Sequence, residues 1–345
     1  MTVRWGIIGC GNVTEVKSGP AFQQAAGSAL LMVMRRNAAM AEDYARRHGV
    51  PKWTGDADEL IHAPEVDAVY VATPPGRHLE YALRVAAAGK PAYVEKPMAR
   101  NHAECQRMIE AFAQAGQPLL VAFYRRRLLR FLKAKELVDS HRLGRVVMLT
   151  YRYADTRLRD IDPGNLEWRL VAEHSGGGIF LDMASHALDI FDFILGPIQS
   201  AEGAAANLAS PYDVEDAVAL HCRFASGALG ICSWNFASAV GEDQIEITGT
   251  DGRLTLSVFG NEPVRLETGE GVEQFDLPNP PHVQQPLIQS IVDQLHGRGE
   301  CPSTGLTAAR TARVMDRVLG SYYGGRDDDF WTRPETWPGR RPSGK

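Results

Sequence analysis

Asp182, His186 and Asp189 stand at i, i+4 and i+7 in the stretch 179–195. At about 100° per residue they share one stripe of a helix. A carboxylate one turn from an imidazole fixes the ring and raises its proton affinity, which is what general acid–base chemistry asks for. A solvated helix face produces the same pattern, with Ser185 and Asp192 at its margin. Ile179, Phe180, Met183, Ala187, Phe191 and Ile194 recur at spacings of three and four and supply the packing side. Gly176, Gly177 and Gly178 open the run. A second proton-handling group lies far upstream, in Ala92-Tyr93-Val94-Glu95-Lys96-Pro97. An ammonium at the end of an inner strand can hydrogen-bond a hydroxyl or stabilise an alkoxide. The plain alternative is a salt bridge to a neighbouring acid. Glu95 alternates to the opposite side of the strand, so it is not the obvious partner. Pro97 restricts Lys96 to extended geometry and admits a cis bond.

The elements that would position these groups begin at the N-terminus. A short apolar run, 4–8, feeds Gly9-Cys10-Gly11-Asn12-Val13-Thr14. Two such glycines permit a tight turn and let the backbone approach a pyrophosphate at the next helix's N-terminus. Thr14 replaces the third glycine of that pattern, so the helix is expected slightly further from the strand. Strand signals at 30–34, 68–72, 92–95 and 119–122 alternate with helical ones at 38–48, 77–88 and 102–115. Continuous apolar strands separated by helices predict a doubly wound parallel (Rossmann) domain over 1–122. The second strand runs into Arg35-Arg36 where an NAD site would carry an acid. A guanidinium pairs with a 2′-phosphate, so NADP(H) is preferred and NAD(H) is the alternative. Otherwise both arginines are solvated surface charges. Thr73 and Pro74 follow an inner strand and border the same crevice, and His78 opens the next helix as a contact or as a cap.

Together these motifs resemble the glucose–fructose oxidoreductase and inositol dehydrogenase (Gfo/Idh/MocA) family. The marks are Gly9/Gly11, Glu95-Lys96-Pro97, and the three glycines followed by Asp182, His186 and Asp189, with Trp168-Arg169 ahead of them. The resemblance covers about 3–320. It implies a Lys96–Asp182–His186 catalytic set acting on a sugar, polyol or related diol by hydride transfer. Cofactor contacts would fall on Gly9, Gly11, Asn12, Val13, Arg35, Arg36, Thr73, Pro74, His78 and Glu95. Substrate contacts would fall on Lys17, Tyr124, Arg125, Trp168, Arg169 and Asp189. Thr14 and Arg35 depart from the family pattern, and both concern cofactor fit. Two other readings share the fold: a non-enzymatic NADP(H)-responsive regulator, and a nicotinamide-assisted glycoside hydrolase.

The second half, 123–324, reads as an α+β domain. Phe123-Tyr124-Arg125-Arg126-Arg127 leads into a helix over 128–140, and at least two of these arginines are expected to be solvated or ion-paired between domains. A strand follows at 145–153. Residues 156–175, with Asp162-Pro163-Gly164, read as a loop over the site, Trp168 being its lid or a core anchor. Strands at 216–224, 228–236, 244–249 and 253–257 have period two, with turns at Ser226-Gly227 and Asp251-Gly252, so the sheet is mostly antiparallel and open. Leu229 and Ile231 fall on one face, Cys232, Trp234 and Phe236 on the other, so both faces need cover. In the resembled family the open face forms a dimer contact, which implies a homodimer or homotetramer. Helices are expected at 284–296 and 308–322, and 325–345 reads as a polar, Pro-rich extended tail.

The chain has 345 residues, 44% hydrophobic and 23% charged, with net charge −5. That is a globular composition of roughly two domains with no nucleic-acid or anionic-membrane partner implied. Five cysteines without a C-x-x-C pair argue against disulfides or a zinc site, so no metal is expected and a reducing cytoplasm fits. No run approaches the ~18 apolar residues of a membrane span. Met1 leads directly into a strand, which leaves no room for a signal peptide.

Overall fold

The computed structural model describes residues 2–156, 161–162 and 164–340. Part of the loop expected over 156–175, including Pro163, and 341–345 of the expected tail lie outside the described residues. In chain order the first elements are β1 (Val3–Ile8), α1 (Gly19–Gln24), β2 (Ser28–Met34), α2 (Ala38–His48), β3 (Lys52–Thr54), α3 (Ala57–His62), β4 (Ala68–Val71), α4 (His78–Ala87), β5 (Ala92–Val94), α5 (His102–Ala115) and β6 (Leu119–Val121). Among the described residues six strands form one sheet in the order β3-β2-β1-β4-β5-β6, every pair parallel. The apolar runs explain this: all four residues of β4 and all three of β5 are buried, as strands covered on both faces must be. Local chemistry sets the helix ends. Asn37 caps α2 by accepting from Met40 N, Gly49 closes it at φ +64°, and Asp56 caps α3. Trp5, Phe22, Tyr70 and Tyr93 pack as one aromatic cluster with centroids 4.8–5.3 Å apart along the series.

The remaining elements are α6 (Leu129–Asp139), β7 (Val146–Ala154), α7 (Ala172–Ser175), α8 (Ile179–Leu195), β8 (Ile198–Ala206), β9 (Ala217–Phe224), β10 (Leu229–Asn235), β11 (Glu242–Gly249), β12 (Gly252–Leu256), β13 (Val264–Thr268), β14 (Gly271–Phe275), α9 (Gln285–Leu295) and α10 (Gly305–Tyr323). The second sheet runs β14-β13-β12-β11-β7-β10-β9-β8, antiparallel except between β7 and β10. Helix α8 lies on this sheet: Phe180 meets Trp234 at 5.0 Å and Phe191 meets Tyr151 at 5.3 Å. Strands β8, β13 and β14 are additions to the sequence reading. β8 is IQSAEGAAA, too poor in branched residues to announce itself. It pairs closely with β9 because a Cβ on Gly203 would sit 2.3 Å from Ala219 O.

Two compact units emerge, and a single cut near residue 122 does not separate them. The first takes residues up to 99, 104–128 and 280–309. The second takes 100–103, 129–279 and everything from 310 on. The extended tail is corrected as well. Phe330, Trp331 and Trp337 are buried, and Tyr323 lies 4.7 Å from the Phe330 and Trp337 rings. Arg326, also buried, donates to Asp316 Oδ1 (2.7 Å), Gly176 O (2.7 Å) and Arg100 O (2.8 Å). Three aromatics and one arginine outweigh the prolines around them, and polar composition hides that.

Candidate functional site

The first unit carries a dinucleotide turn. Gly9 has φ +90°, and a Cβ there would lie 2.9 Å from Thr73 Cγ2 and 3.1 Å from the Ala72 carbonyl, so only glycine fits. Gly9 N and Cys10 N both donate to Met34 O. Gly11 differs, because the nearest atom to a Cβ there is Gly9 O at 3.8 Å. Its freedom is kept for something outside the local packing. The amides of Gly11, Asn12 and Val13 open the helical run 12–24 and have no acceptor among the described residues. Beside them Thr73 Oγ1 is buried without a hydrogen-bond partner. An open cradle, three amides without an acceptor among the described residues at a helix N-terminus and an orphaned hydroxyl fit a pyrophosphate-bearing dinucleotide.

Thr14 is absorbed by a change of helix type. Residues Thr14–Ser18 form a π-helical turn. Thr14 Oγ1 donates to Gly11 O and Thr14 O accepts from the Tyr44 hydroxyl, both at 2.8 Å. The close-approach glycine is Gly19, whose Cβ would sit 2.1 Å from the Tyr44 hydroxyl oxygen. Arg35 is half-buried and Arg36 exposed at the end of β2, and neither guanidinium has an ion-pair partner among the described residues. Pro74 and Lys17 are exposed.

Lys96 is half-buried, and the Lys96–Pro97 bond is cis. Glu95 is only 6% exposed. Its Oε1 accepts from the Tyr70 hydroxyl (2.5 Å) and Gln284 Nε2 (2.6 Å), and its Oε2 from Lys96 N (3.0 Å). Both side-chain oxygens serve the protein interior. His78, expected as a contact or as a cap, also has its ring partners inside the protein. It is fully buried, its Nδ1 lies 3.0 Å from Pro97 O and its Nε2 2.7 Å from Thr73 O. The ring pins the Thr73 loop to the segment after Lys96, and burial pushes its proton affinity down. Of the two alternatives expected for this run, solvated or ion-paired, the solvated one does not hold for Arg125 and Arg126, which are buried with Tyr124. Arg125 Nη1 bonds the Tyr124 hydroxyl at 2.7 Å and Arg126 Nη1 reaches Pro302 O at 3.1 Å.

In the second unit the polar stripe of α8 is enclosed. His186 is 4% exposed and Asp189 0%, so the solvated-face alternative fails. Phe259 meets the His186 ring edge-on at 5.9 Å. Its loop is held by Asp243, which accepts from the amides of Val258, Phe259 and Gly260. Asp182 Oδ2 accepts from Arg169 Nε at 3.0 Å, and that guanidinium lies 4.4 Å over the Trp168 ring. Trp168 and Arg169 are both half-buried. Asp192, at the stripe's margin, is tied bidentately to Arg310 at 2.6 and 2.8 Å. Each glycine ahead of the helix admits a neighbour. A Cβ on Gly176 would come 2.5 Å from Arg100 O, and one on Gly178 2.7 Å from Glu215 O. Gly178 N donates to Glu215 Oε1 at 3.0 Å, and Tyr323 bonds the other oxygen of that buried carboxylate. Burial pushes the Glu215 carboxyl up. Gln284, Tyr70, Glu215, Arg310 and Phe259 were not anticipated, because their partners lie too far along the chain for any local spacing to reveal them.

Residues 3–123 match the oxidoreductase family with an NAD-binding Rossmann fold, and residues 131–255 match the GFO/IDH/MocA C-terminal domain. An oxidoreductase of Formosa agariphila is 38% identical over 322 residues, 92% of this chain and 99% of the relative. A 1,5-anhydro-D-fructose reductase of Ensifer adhaerens is 28% identical, covering 88% and 91% of the two chains, and a scyllo-inositol 2-dehydrogenase (NAD(+)) of Bacillus subtilis is 28% identical, covering 88% and 87%. A levoglucosan dehydrogenase solved with NADH and levoglucosan superposes with a TM-score of 0.82 at 22% identity over 92% of this chain and 96% of that one. With a parallel six-stranded sheet, a mostly antiparallel eight-stranded one and these matches, the chain belongs to the Gfo/Idh/MocA family of oxidoreductases.

Proposed function

We propose that the protein is an NADP(H)-dependent oxidoreductase that interconverts an alcohol and a carbonyl on a sugar, polyol or related diol. The observation that carries this reading is the enclosure of His186 and Asp189 on the α8 stripe, where a surface histidine would have been solvated. A titratable imidazole kept out of bulk water beside anchored carboxylates is suited to moving one proton. When bound, the nicotinamide gives or takes the hydride. His186 takes or returns the hydroxyl proton. Asp182, one oxygen of which is held by Arg169, keeps the imidazole in one tautomer. Lys96 hydrogen-bonds the reacting oxygen or its neighbour and favours the anionic form. The named activities of the Ensifer and Bacillus relatives support a polyhydroxylated substrate. Arg35 and Arg36, without ion-pair partners among the described residues, support a 2′-phosphate. The open face of the second sheet, with Ile231 55% and Leu229 40% exposed, supports a homodimer or homotetramer.

Five outcomes test the reading. In an assay of sugars and diols followed by nicotinamide absorbance, net NADPH turnover is expected; sugar release without it would indicate the hydrolase, and neither the regulator. His186→Ala is expected to lower kcat roughly 10²–10⁴-fold with the NADPH dissociation constant unchanged, and unaltered turnover would remove His186 from the mechanism. Arg35→Asp is expected to cost roughly tenfold or more in NADPH affinity and little in NADH affinity, read by fluorescence titration. Gly11→Ala is expected to lose dinucleotide binding at unchanged stability, whereas Gly9→Ala loses about 1–3 kcal/mol in urea unfolding. Sedimentation is expected to give the mass of two or four chains, and a monomer would refute the assembly.

A further inference from the structure

Gln284 stands immediately before α9 and is fully buried. Its main-chain N donates to Lys17 O (3.2 Å), in the π-helical turn behind the dinucleotide loop, and nearby His282 Nδ1 lies 2.6 Å from Val16 O. Its side chain points the other way. Oε1 accepts from the Tyr93 hydroxyl at 2.8 Å, and Nε2 donates to Glu95 Oε1 at 2.6 Å. Glu95 in turn accepts from Lys96 N through its second oxygen at 3.0 Å. The phenols of Tyr70 and Tyr93 are pushed well up by burial, so both remain hydrogen-bond donors across the working pH range. The buried carboxylate thus has two side-chain donors on one oxygen and the lysine's amide on the other. Gln289 Nε2 and Oε1 bond Ala26 O and N, which fixes the helix that presents Gln284.

We propose that Gln284 is a positioning residue for Lys96, acting through Glu95, and that its main chain ties that placement to the helix opening the dinucleotide turn. The proposal rests on the functional reading of Lys96 above. A buried carboxylate stripped of a donor seeks another. With the Gln284 amide removed, the cation nearest along the chain is the Lys96 ammonium itself, one residue on. Tyr70, Tyr93 and His78 are the other titratable groups that face Glu95, and none brings a formal charge to it while the phenols are protonated and the buried ring is neutral. The ammonium drawn toward Glu95 would be less available to a substrate oxygen and harder to deprotonate.

The test is the rate at which an acylating reagent modifies Lys96 between pH 7 and 10, read by peptide mass spectrometry in the full-length protein without cofactor or substrate. Lys135, in the second unit, serves as the internal standard. Gln284→Met, which keeps the volume and removes the amide, is expected to slow Lys96 acylation about threefold relative to Lys135. Tyr70→Phe removes the other donor from the same Glu95 oxygen and is expected to act in the same direction. A Lys96 rate in folded Gln284→Met equal to or above wild type overturns the proposal, as does a parallel change at Lys135, which would mean general loosening. Should Gln284→Met fail to fold, an unchanged Lys96 rate in Tyr70→Phe overturns it alone. Because the labelling needs no turnover, it decides the role of Gln284 whether or not the dehydrogenase assay succeeds.

Discussion

An ionised side chain taken out of water must find donors or a counter-charge inside the protein, and that requirement organises both units of this molecule. Glu95 is met by Tyr70, Gln284 and the amide of Lys96. Glu215 is met by Gly178 N and Tyr323, Arg326 by Asp316 and two carbonyls, and Asp192 by Arg310. In each case most of the group's partners come from a remote stretch of chain. The expense of burial is therefore used to locate backbone. A carboxylate that cannot relax into solvent holds its donors, and those donors carry the elements they sit on.

The glycines do complementary work. Where a carboxylate or arginine closes around backbone, another backbone must come near without a side chain between them. The three glycines ahead of α8 allow this: one is set against Arg100 O and another against Glu215 O. Gly19 does the same for the Tyr44 hydroxyl and Thr14 O. The odd residue in the dinucleotide turn, Thr14, lies in a π-helical turn whose carbonyls are taken up by Tyr44, His282 and Gln284. Gly11, at the helix N-terminus, is not explained by packing, which is why it reads as belonging to a ligand.

The site in the second unit is built from stiff parts. Helix α8 sits on aromatic rings of β7 and β10, the loop bearing Phe259 is gripped by three amide bonds to Asp243, and Arg169 holds one oxygen of Asp182. The proton-transfer role proposed for His186 depends on such support, because small displacements of an imidazole are costly to catalysis. The segment past α10 joins this framework through Arg326, so what reads in composition as a tail is part of the wall.

The sequence by itself determined the elements with strong local signals. The parallel sheet followed from apolar runs alternating with helical ones, α2 and α5 from their periodicity, and the dinucleotide turn from Gly9 and Gly11 after β1. Lys96, Asp182 and His186 were legible as candidates because helical spacing and a strand end are local properties. Short or small-residue elements such as β3, α3 and β8 were not, since they owe their conformation to neighbours rather than to propensity. Only the tertiary structure decided which polar residues are enclosed. A stripe of Asp182, His186 and Asp189 looks the same facing water or facing a sheet, and the sequence does not show which residues bond the side chains of Glu95 and His78. Those residues lie as much as 189 positions away in the case of Gln284 and Glu95, and no pattern of neighbouring residues encodes a contact of that range.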